Sequence, residues 1–546
     1  MSSVAPPPAG ATDGGGAPGS GMARDALVVT VCTLLSRLTG FARVLVAAAV
    51  LSTGVLGDTY HAANIVPNLL FELVAGGVLQ AVLLPSFVAA RREGGDEELG
   101  RTAGAVVAAL TAVLAAIAAA GILLAPVLAW AMTALESDPS LAADKRSLVT
   151  PMLIVFIPQI VFYGIGMVAT AALTARRRFA AAALAPAVNN VVVITCYLLY
   201  RWSRGDRPAS LHLDPWQFTL LAGGTTLAVI AFTAVPGIVL SVQGVRWRAT
   251  WLPRHPAIVG LRGSVGWAML SVVGTLVPTA AAVVLGYGAD GGVAVFTLAF
   301  AFFVLPHALV AVPVATALAP RAAETWQRGE HHDTRELIEK AMMVVLPSLC
   351  FAGSAMLALS WPVAHVVTSL GQAGSQGPAP IAHTLAAFGP GLVGYGVAFV
   401  NTRVLFSLGD VRRTALLVSI SAAVGVISMI VASEVLSDGE RAAALALGYG
   451  IAQAAAAVLV TGRVRTLTDA PSWVRLGRLG LGSLGAAGLS AAAMLLVQSP
   501  FGADRWSAVA ALVLAGSAGA VVFAAAVTVL AGVRPSTLLR RRFARV

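Results

Sequence analysis

Charge is what this chain has least of. Of its 546 residues only 11 % are Asp, Glu, Lys or Arg and 58 % are hydrophobic, whereas soluble domains carry roughly 25 % charged residues. With a mean hydropathy of +0.84, that shortage excludes an ordinary water-soluble protein. Cysteine is scarce as well: Cys32, Cys196 and Cys350 each fall inside an apolar run, so neither a disulfide framework nor a zinc spacing is available. Lysine stands only at Lys145 and Lys340, and arginine supplies the other positive charges beside heavy alanine and glycine usage, a composition that points to a high-GC bacterial genome. Long polar stretches are missing too, so no soluble catalytic domain fits between the apolar runs. No span or loop assembles a nucleophile, a base and oxyanion donors, and enzymatic activity is not expected.

What is present is a series of about fourteen apolar runs, each long enough to span a bilayer as a helix. They are not barrel strands, which alternate polar and apolar every second residue; Ala103 to Leu128 is almost unbroken Ala, Val, Ile and Leu. The expected fold class is an all-α polytopic membrane protein. The first run covers residues 26–51, the second and third 59–90 and 102–134, the ninth 341–368, and the last two 479–498 and 507–532. Residues 1–24, rich in Pro, Gly, Ala and Ser, cannot bury enough apolar surface to fold and read as a disordered tail. They lack the ordered charged, apolar and cleavage regions of a signal peptide, so no cleavage is expected.

The net charge of +11 has a membrane explanation. With both termini on the inner side, 26 of the 36 basic residues fall in inner loops and tails, seven fall outside, and Arg37, Arg43 and Arg403 lie within runs. That is the positive-inside pattern, with cationic loops against an anionic leaflet, and no nucleic acid is needed to account for it. Both termini are expected in the cytoplasm and the chain in the bacterial cell membrane. Two inner loops, Gly244 to Gly263 and Arg321 to Lys340, are long enough for a surface helix each, or read as plain solvated loops.

Charge within a span is costly and usually faces a water-filled cavity or a partner. The first span carries Arg37 and Arg43; six residues advance a helix by about 9 Å and turn it by about 240° net, so the two stand at different depths on flanks about 120° apart. Asp58 lies at the mouth of the second span, which then carries His61, Asn64, Asn68, Glu72 and Gln80 and is interrupted by Pro67 and Gly76-Gly77. One reading is an arginine to Glu72 ion pair between helices; the other is a substrate site, since one acid cannot neutralise two arginines. A leftover guanidinium suits a phosphate or carboxylate. Asn189, Asn190 and His307 read as interhelical hydrogen-bonding residues, and Arg403 as a side chain that snorkels to the interface. The doublet His331-His332 has no third ligand at metal spacing, and neither a metal nor another cofactor is expected.

A faint repeat links Val66-Pro67-Asn68-Leu69-Leu70 in the second span with Leu305-Pro306-His307-Ala308-Leu309 in the eighth. Equivalent spans six apart suggest two six-helix lobes, residues 25–263 and 264–478, of the kind that rock about a central site, with residues 479–532 appended and a basic tail at 533–546.

The run from Ser36-Arg37-Leu38-Thr39-Gly40-Phe41-Ala42-Arg43, through Asp58, Pro67-Asn68-Leu69-Leu70 and Gly76-Gly77 to Leu84-Pro85, resembles the MurJ (MviN) family of lipid II flippases. Leu305 to Leu309 and Arg403-Val404-Leu405-Phe406-Ser407-Leu408-Gly409-Asp410-Val411-Arg412 are similar to further family segments. The resemblance implies a flippase of the multidrug/oligosaccharidyl-lipid/polysaccharide exporter superfamily working by alternating access, commonly coupled to membrane potential, on the undecaprenyl-pyrophosphate-linked peptidoglycan precursor. It further implies a central cationic cavity with Arg37 and Arg43 facing the pyrophosphate, Asp58, Asn68 and Glu72 completing the substrate site, and residues 479–532 forming a groove for the lipid tail. Implied partners are lipid II, membrane lipids and cell-wall synthesis proteins.

The chain also departs from that pattern. Phe71 and Glu72 stand where many members have arginine after Asn-Leu-Leu, Gly76 replaces an acidic residue, and Phe300, Ala301 and Val304 stand where the eighth span has its charges. Ser419 and Ser421 without a carboxylate imply no sodium site. The competing readings are an exporter of another polyprenyl-linked sugar or of a drug-like cation, and a transport-inactive scaffold for cell-wall synthesis. Arg37 and Arg43 discriminate, because a cation site would repel them.

Overall fold

A long Ala, Val, Leu and Ile run in a bilayer has no water to satisfy its backbone, and a helix satisfies it internally. The computed structural model describes residues 19–252, 255, 265–468 and 473–532, and every regular element among them is helical. In chain order they are α1 (Gly19–Leu51), α2 (Val55–Met132), α3 (Pro139–Phe156), α4 (Gln159–Ala175) and α5 (Phe179–Arg204). Then come α6 (Pro215–Val242), α7 (Val265–Tyr287), α8 (Gly292–Gln327), α9 (His331–Ala358) and α10 (Ser360–Thr368). The last five are α11 (Ala379–Ser407), α12 (Val411–Val435), α13 (Arg441–Thr468), α14 (Trp473–Gln498) and α15 (Arg505–Leu530). Residues 1–18 of the expected tail, most of the stretch to Gly263 with Arg254 and Arg262, the basic tail 533–546, and the side chains of Arg24, Gln80 and Arg475 lie outside the described residues.

The all-helical membrane fold expected from composition is the one observed, with thirteen helices long and apolar enough to cross a membrane. The fourteenth expected crossing lies inside α2. The second and third apolar runs form one helix of 78 residues, about 117 Å of rise at 1.5 Å per residue, which is enough for two bilayer crossings. Its course turns at Gly94 (φ −137°, ψ 20°) and Gly95 (φ 65°, ψ −148°), backbone angles that glycine tolerates best. Arg91 to Arg101 is therefore helix on either side of a two-glycine bend. The expected interruption at Pro67 and Gly76-Gly77 does not occur: α2 runs through all three, as membrane helices can when only one amide donor is missing.

The loop expected over Arg321 to Lys340 is likewise helix. α8 continues to Gln327 and α9 begins at His331, with Gly329 (φ 77°) supplying the left-handed residue that closes the turn. By contrast Val245 to Leu252, within the other inner loop, has no regular secondary structure.

The buried apolar clusters follow the chain order. Two are built from α1 to α6 with Val283, Tyr287 and Val293 added from α7 and α8. Another is built from α7 to α13 with Ala48 of α1, and two smaller ones join α14 and α15 to α9. We refer to α1–α6 and α7–α15 as the first and second halves of the chain. Helices approach closely through small residues, the usual means where lipid offers no hydrophobic drive. On α11 a side chain at Gly391 would meet Gly450 of α13, and one at Gly394 would lie 2.8 Å from the backbone nitrogen of Ala454. Gly394→Leu is expected to force α11 and α13 apart and to destabilise the second half by about 1–3 kcal/mol. Thermal unfolding of the purified protein in detergent checks this, and an unchanged midpoint contradicts it.

Candidate functional site

The two halves meet at one end of the helices through a dense set of hydrogen bonds. The buried carboxylate of Asp58, in the first turn of α2, accepts from the backbone N–H groups of Gly291 at 2.7 Å, Val293 at 2.9 Å and Ala294 at 2.7 Å. These are the open donors at the start of α8, which every helix N-terminus leaves for a partner, and an anion there is favoured by the helix dipole. Around it, the Ser52 and Ser375 hydroxyls are 2.7 Å apart and the Thr53 hydroxyl donates to Ala373 O at 3.1 Å. Gln372 N donates to Ala49 O at 2.8 Å, and the Tyr287 hydroxyl to Thr59 at 2.9 Å. Lys145, fully buried, donates to Glu136 at 2.6 Å and to Tyr287 O at 2.9 Å. All hydrogen bonds described between the halves belong to this end. Asp58, expected beside the substrate, thus has its carboxylate occupied by α8 and is not brought together with Arg37, Arg43 or Glu72.

Deeper along the same helices no hydrogen bond joins the halves among the described residues, although the Phe41 ring of α1 lies 4.8 Å from Phe302 of α8; we call this stretch between the halves the gap. Arg37 on α1 is exposed, and its charge reaches His307 of α8 and Tyr395 of α11 in the second half. Arg43 is half-buried and reaches Tyr60 and His61 of α2, Tyr163 of α4 and Tyr197 of α5, all in the first half. The two arginines therefore point to different neighbours, as residues on separate flanks must. Glu72 is exposed and reaches Tyr395 and Tyr449 across the gap. No cationic partner acts on it, so the neutralising ion pair with an arginine is not formed. The Asn68 side-chain nitrogen donates to Asn64 O at 2.8 Å, a bond within its own helix.

The second half's wall is aromatic where the family pattern has charge. The ring of Phe300 stacks on Phe296 at 5.8 Å and meets Tyr449 edge-on at 5.4 Å, and Phe303 lies 5.2 Å from Tyr395. His307 is buried, 4.1 Å from the Tyr395 ring and 4.8 Å from Phe399, and its Nδ1 has no hydrogen-bond partner. The expectation of an interhelical hydrogen bond holds for Asn190, which donates to Thr39 at 3.2 Å; Asn189 Oδ1, like His307 Nδ1, has no hydrogen-bond partner among the described residues, while Asn401 donates to Thr461 at 2.8 Å.

Arg403, expected to snorkel to the interface, stands on the same face of α11 as Tyr395 and Phe399. Its guanidinium lies 5.3 Å over the Phe399 ring, a cation–π position, and the side chain is exposed without an acidic partner among the described residues. Tyr395, Phe399 and Arg403 are four residues apart in succession, one stripe on α11. That spacing was readable in the sequence; that the stripe meets His307 was not. Outside the gap, His332, Asp333 and Glu336 bring their ligand atoms within 4.8 Å of one another, because positions i, i+1 and i+4 share one helical turn. Glu336 is engaged by Lys340 at 2.7 Å and all three are exposed, an ordinary solvated helix start. The three cysteines are free.

With this geometry in hand, the chain was compared with known proteins. The family model described as lipid II flippase MurJ matches residues 47–531. A probable lipid II flippase MurJ of Rhizobium meliloti (strain 1021) is 26 % identical over 450 residues, covering 82 % of each chain. The lipid II flippase MurJ of Burkholderia cenocepacia is 25 % identical over 381 residues, 68 % of this chain and 70 % of that one. Among solved structures, a lipid II flippase MurJ in an inward closed conformation superposes with a TM-score of 0.70 at 15 % identity over 92 % of this chain and 98 % of that one. An inward-facing multidrug resistance transporter of the MATE family superposes with a TM-score of 0.60 at 15 % identity over 82 % of this chain and all of that one. At those identities the superpositions speak for the fold.

The Asp58 joint makes a mechanical prediction. Removing the carboxylate leaves buried amide donors unsatisfied, at about 1–3 kcal/mol each, so Asp58→Ala should loosen the closed end. In a background with the three native cysteines replaced by serine, Ser52→Cys with Ser375→Cys should cross-link readily, and adding Asp58→Ala should slow that cross-linking at least severalfold. Equal rates would show that Asp58 does not hold the halves together.

Proposed function

The chain belongs to the lipid II flippase MurJ family, and from that membership we infer that it carries lipid II from one leaflet of the cell membrane to the other. The pyrophosphate is the part of such a cargo that must be moved through a low-dielectric interior, where an unpaired anion is expensive. Guanidinium groups match phosphate geometry with paired N–H donors. Arg37 from the first half and Arg403 from the second are the groups we assign to it, with Arg43 deeper on α1 as the next contact along the path. Asn68 and Glu72 line the same side, Glu72 suited to accept hydrogen bonds from sugar or peptide groups.

The single observation that carries this reading is that Arg37 and Arg403 are exposed within apolar helices, face one gap from opposite halves, and have no acidic partner among the described residues. A structural role alone would pair them. Asp58 then acts on transport indirectly, by closing the far end while the gap is open at the other. The positive-inside pattern of the basic loops supports an open end and both termini in the cytoplasm. The lobes are assigned to residues 25–263 and 264–478, rocking about the gap, and α14 and α15, packed outside them on α9, are assigned to the lipid tail. The chain acts as a transporter rather than as a catalyst, since no bond in the cargo needs to be broken.

Glu72 favours a second reading, an exporter of a drug-like cation, because it too is exposed and unpaired. Complementation separates the two. In a closely related host depleted of its lipid II flippase, the wild-type chain should restore growth, and Arg37→Ala or Arg403→Ala at matched membrane abundance should not. Loss of one charge-assisted contact costs about 1.5–3 kcal/mol, on the order of a tenfold to hundredfold loss in transport. Failure of well-expressed wild type to rescue would overturn the assignment. Rescue by both arginine variants, with loss in Glu72→Gln, would favour the cation exporter.

A further inference from the structure

The irregular segment after α6 is built differently from the other inner connections. Arg176 fastens its start, donating to Gln243 Oε1 at 3.0 Å and to Asp96 at 3.0 Å. The backbone then runs over two glycines of α2: a side chain at Gly100 would strike Arg246 O, and one at Gly104 would strike Arg248 O. Thr250 N donates to Gly104 O at 3.3 Å. This is a strap seated in a notch, in which Val245 is buried, Arg246 exposed, Trp247 half-buried and Arg248 exposed.

The inward Trp247 closes a groove of about 340 Å³ at the end of α6. Its indole N–H is already taken by Ser241 at 3.0 Å, and its ring covers Gly237, so the face it offers is apolar. Ile238 and Val242, on the same groove, are 60 % and 80 % exposed. Arg246 and Arg248 carry no ion pair or hydrogen bond from their side chains among the described residues. The apolar groove thus ends at a tryptophan flanked in the chain by two uncommitted, exposed arginines, the pairing of aromatic and basic residues found at a headgroup boundary.

We propose that the strap and groove form a binding site for an anionic diacyl phospholipid, one acyl chain lying along Ile238, Val242 and Trp247 and the phosphate held by Arg246 and Arg248. Charge complementarity selects an anionic headgroup, and the groove selects a molecule with a chain attached. The site is separate from the gap between the halves and does not depend on what the gap carries.

The test uses the full chain purified in detergent, titrated with phosphatidylglycerol or phosphatidylcholine and read by native mass spectrometry. Phosphatidylglycerol should be retained over phosphatidylcholine. Arg246→Gln with Arg248→Gln should weaken phosphatidylglycerol retention on the order of thirtyfold, from the loss of two basic residues near a charged headgroup. Arg412→Gln with Arg413→Gln, a basic pair between α11 and α12, should leave it unchanged. Equal retention of the two lipids, no effect of the strap variant, or an equal loss in the control variant would each overturn the site. Glycerol phosphate, a headgroup without chains, should fail to compete at the concentrations where the lipid binds; effective competition would show that the groove contributes nothing and would overturn the two-part site.

Discussion

A single buried carboxylate joins the two halves of this molecule. Asp58 sits at the beginning of α2 and accepts three backbone N–H groups from the beginning of α8, so the positive end of one half's helix rests on the negative charge of the other's. The serine, threonine and glutamine contacts around it, and the Lys145 to Glu136 pair beneath Tyr287, are geometrically possible because these two helix starts are held together. Beyond this joint no hydrogen bond joins the halves among the described residues, and the charges of Arg37, Arg43 and Glu72 stand along that stretch.

That charge is distributed unevenly. The first half contributes Arg37, Arg43 and Glu72; the second contributes Arg403 and a wall of aromatic rings around Phe300, Phe303, Tyr395 and Tyr449. Phe300, at one of the positions that carry charge in the family pattern, packs instead against Phe296, Phe388 and Tyr449, in the buried core of the second half.

The lipid-facing side shows the same economy of small residues. Glycines on α2 let the strap backbone lie against the helix, and glycines on α11 and α13 bring those helices into backbone contact. In each place the residue matters through what it leaves room for, which neither its hydropathy nor its position in a run reveals.

Composition alone determined that the chain is a helical membrane protein, because scarce charge and unbroken apolar runs leave the backbone no other way to satisfy itself in lipid. It also marked Arg37, Arg43 and Glu72 as the residues to explain, since each is costly where it stands. Tertiary structure decided their relations. That the Asp58 carboxylate accepts from the start of α8 depends on residues more than 230 positions apart, beyond any local pattern. That Glu72 pairs with neither arginine, that the α11 stripe of Arg403 meets His307, and that two apolar runs form one bent helix all follow from how helices are placed side by side. Periodicity specifies which face of a helix a residue occupies; only packing specifies what that face meets.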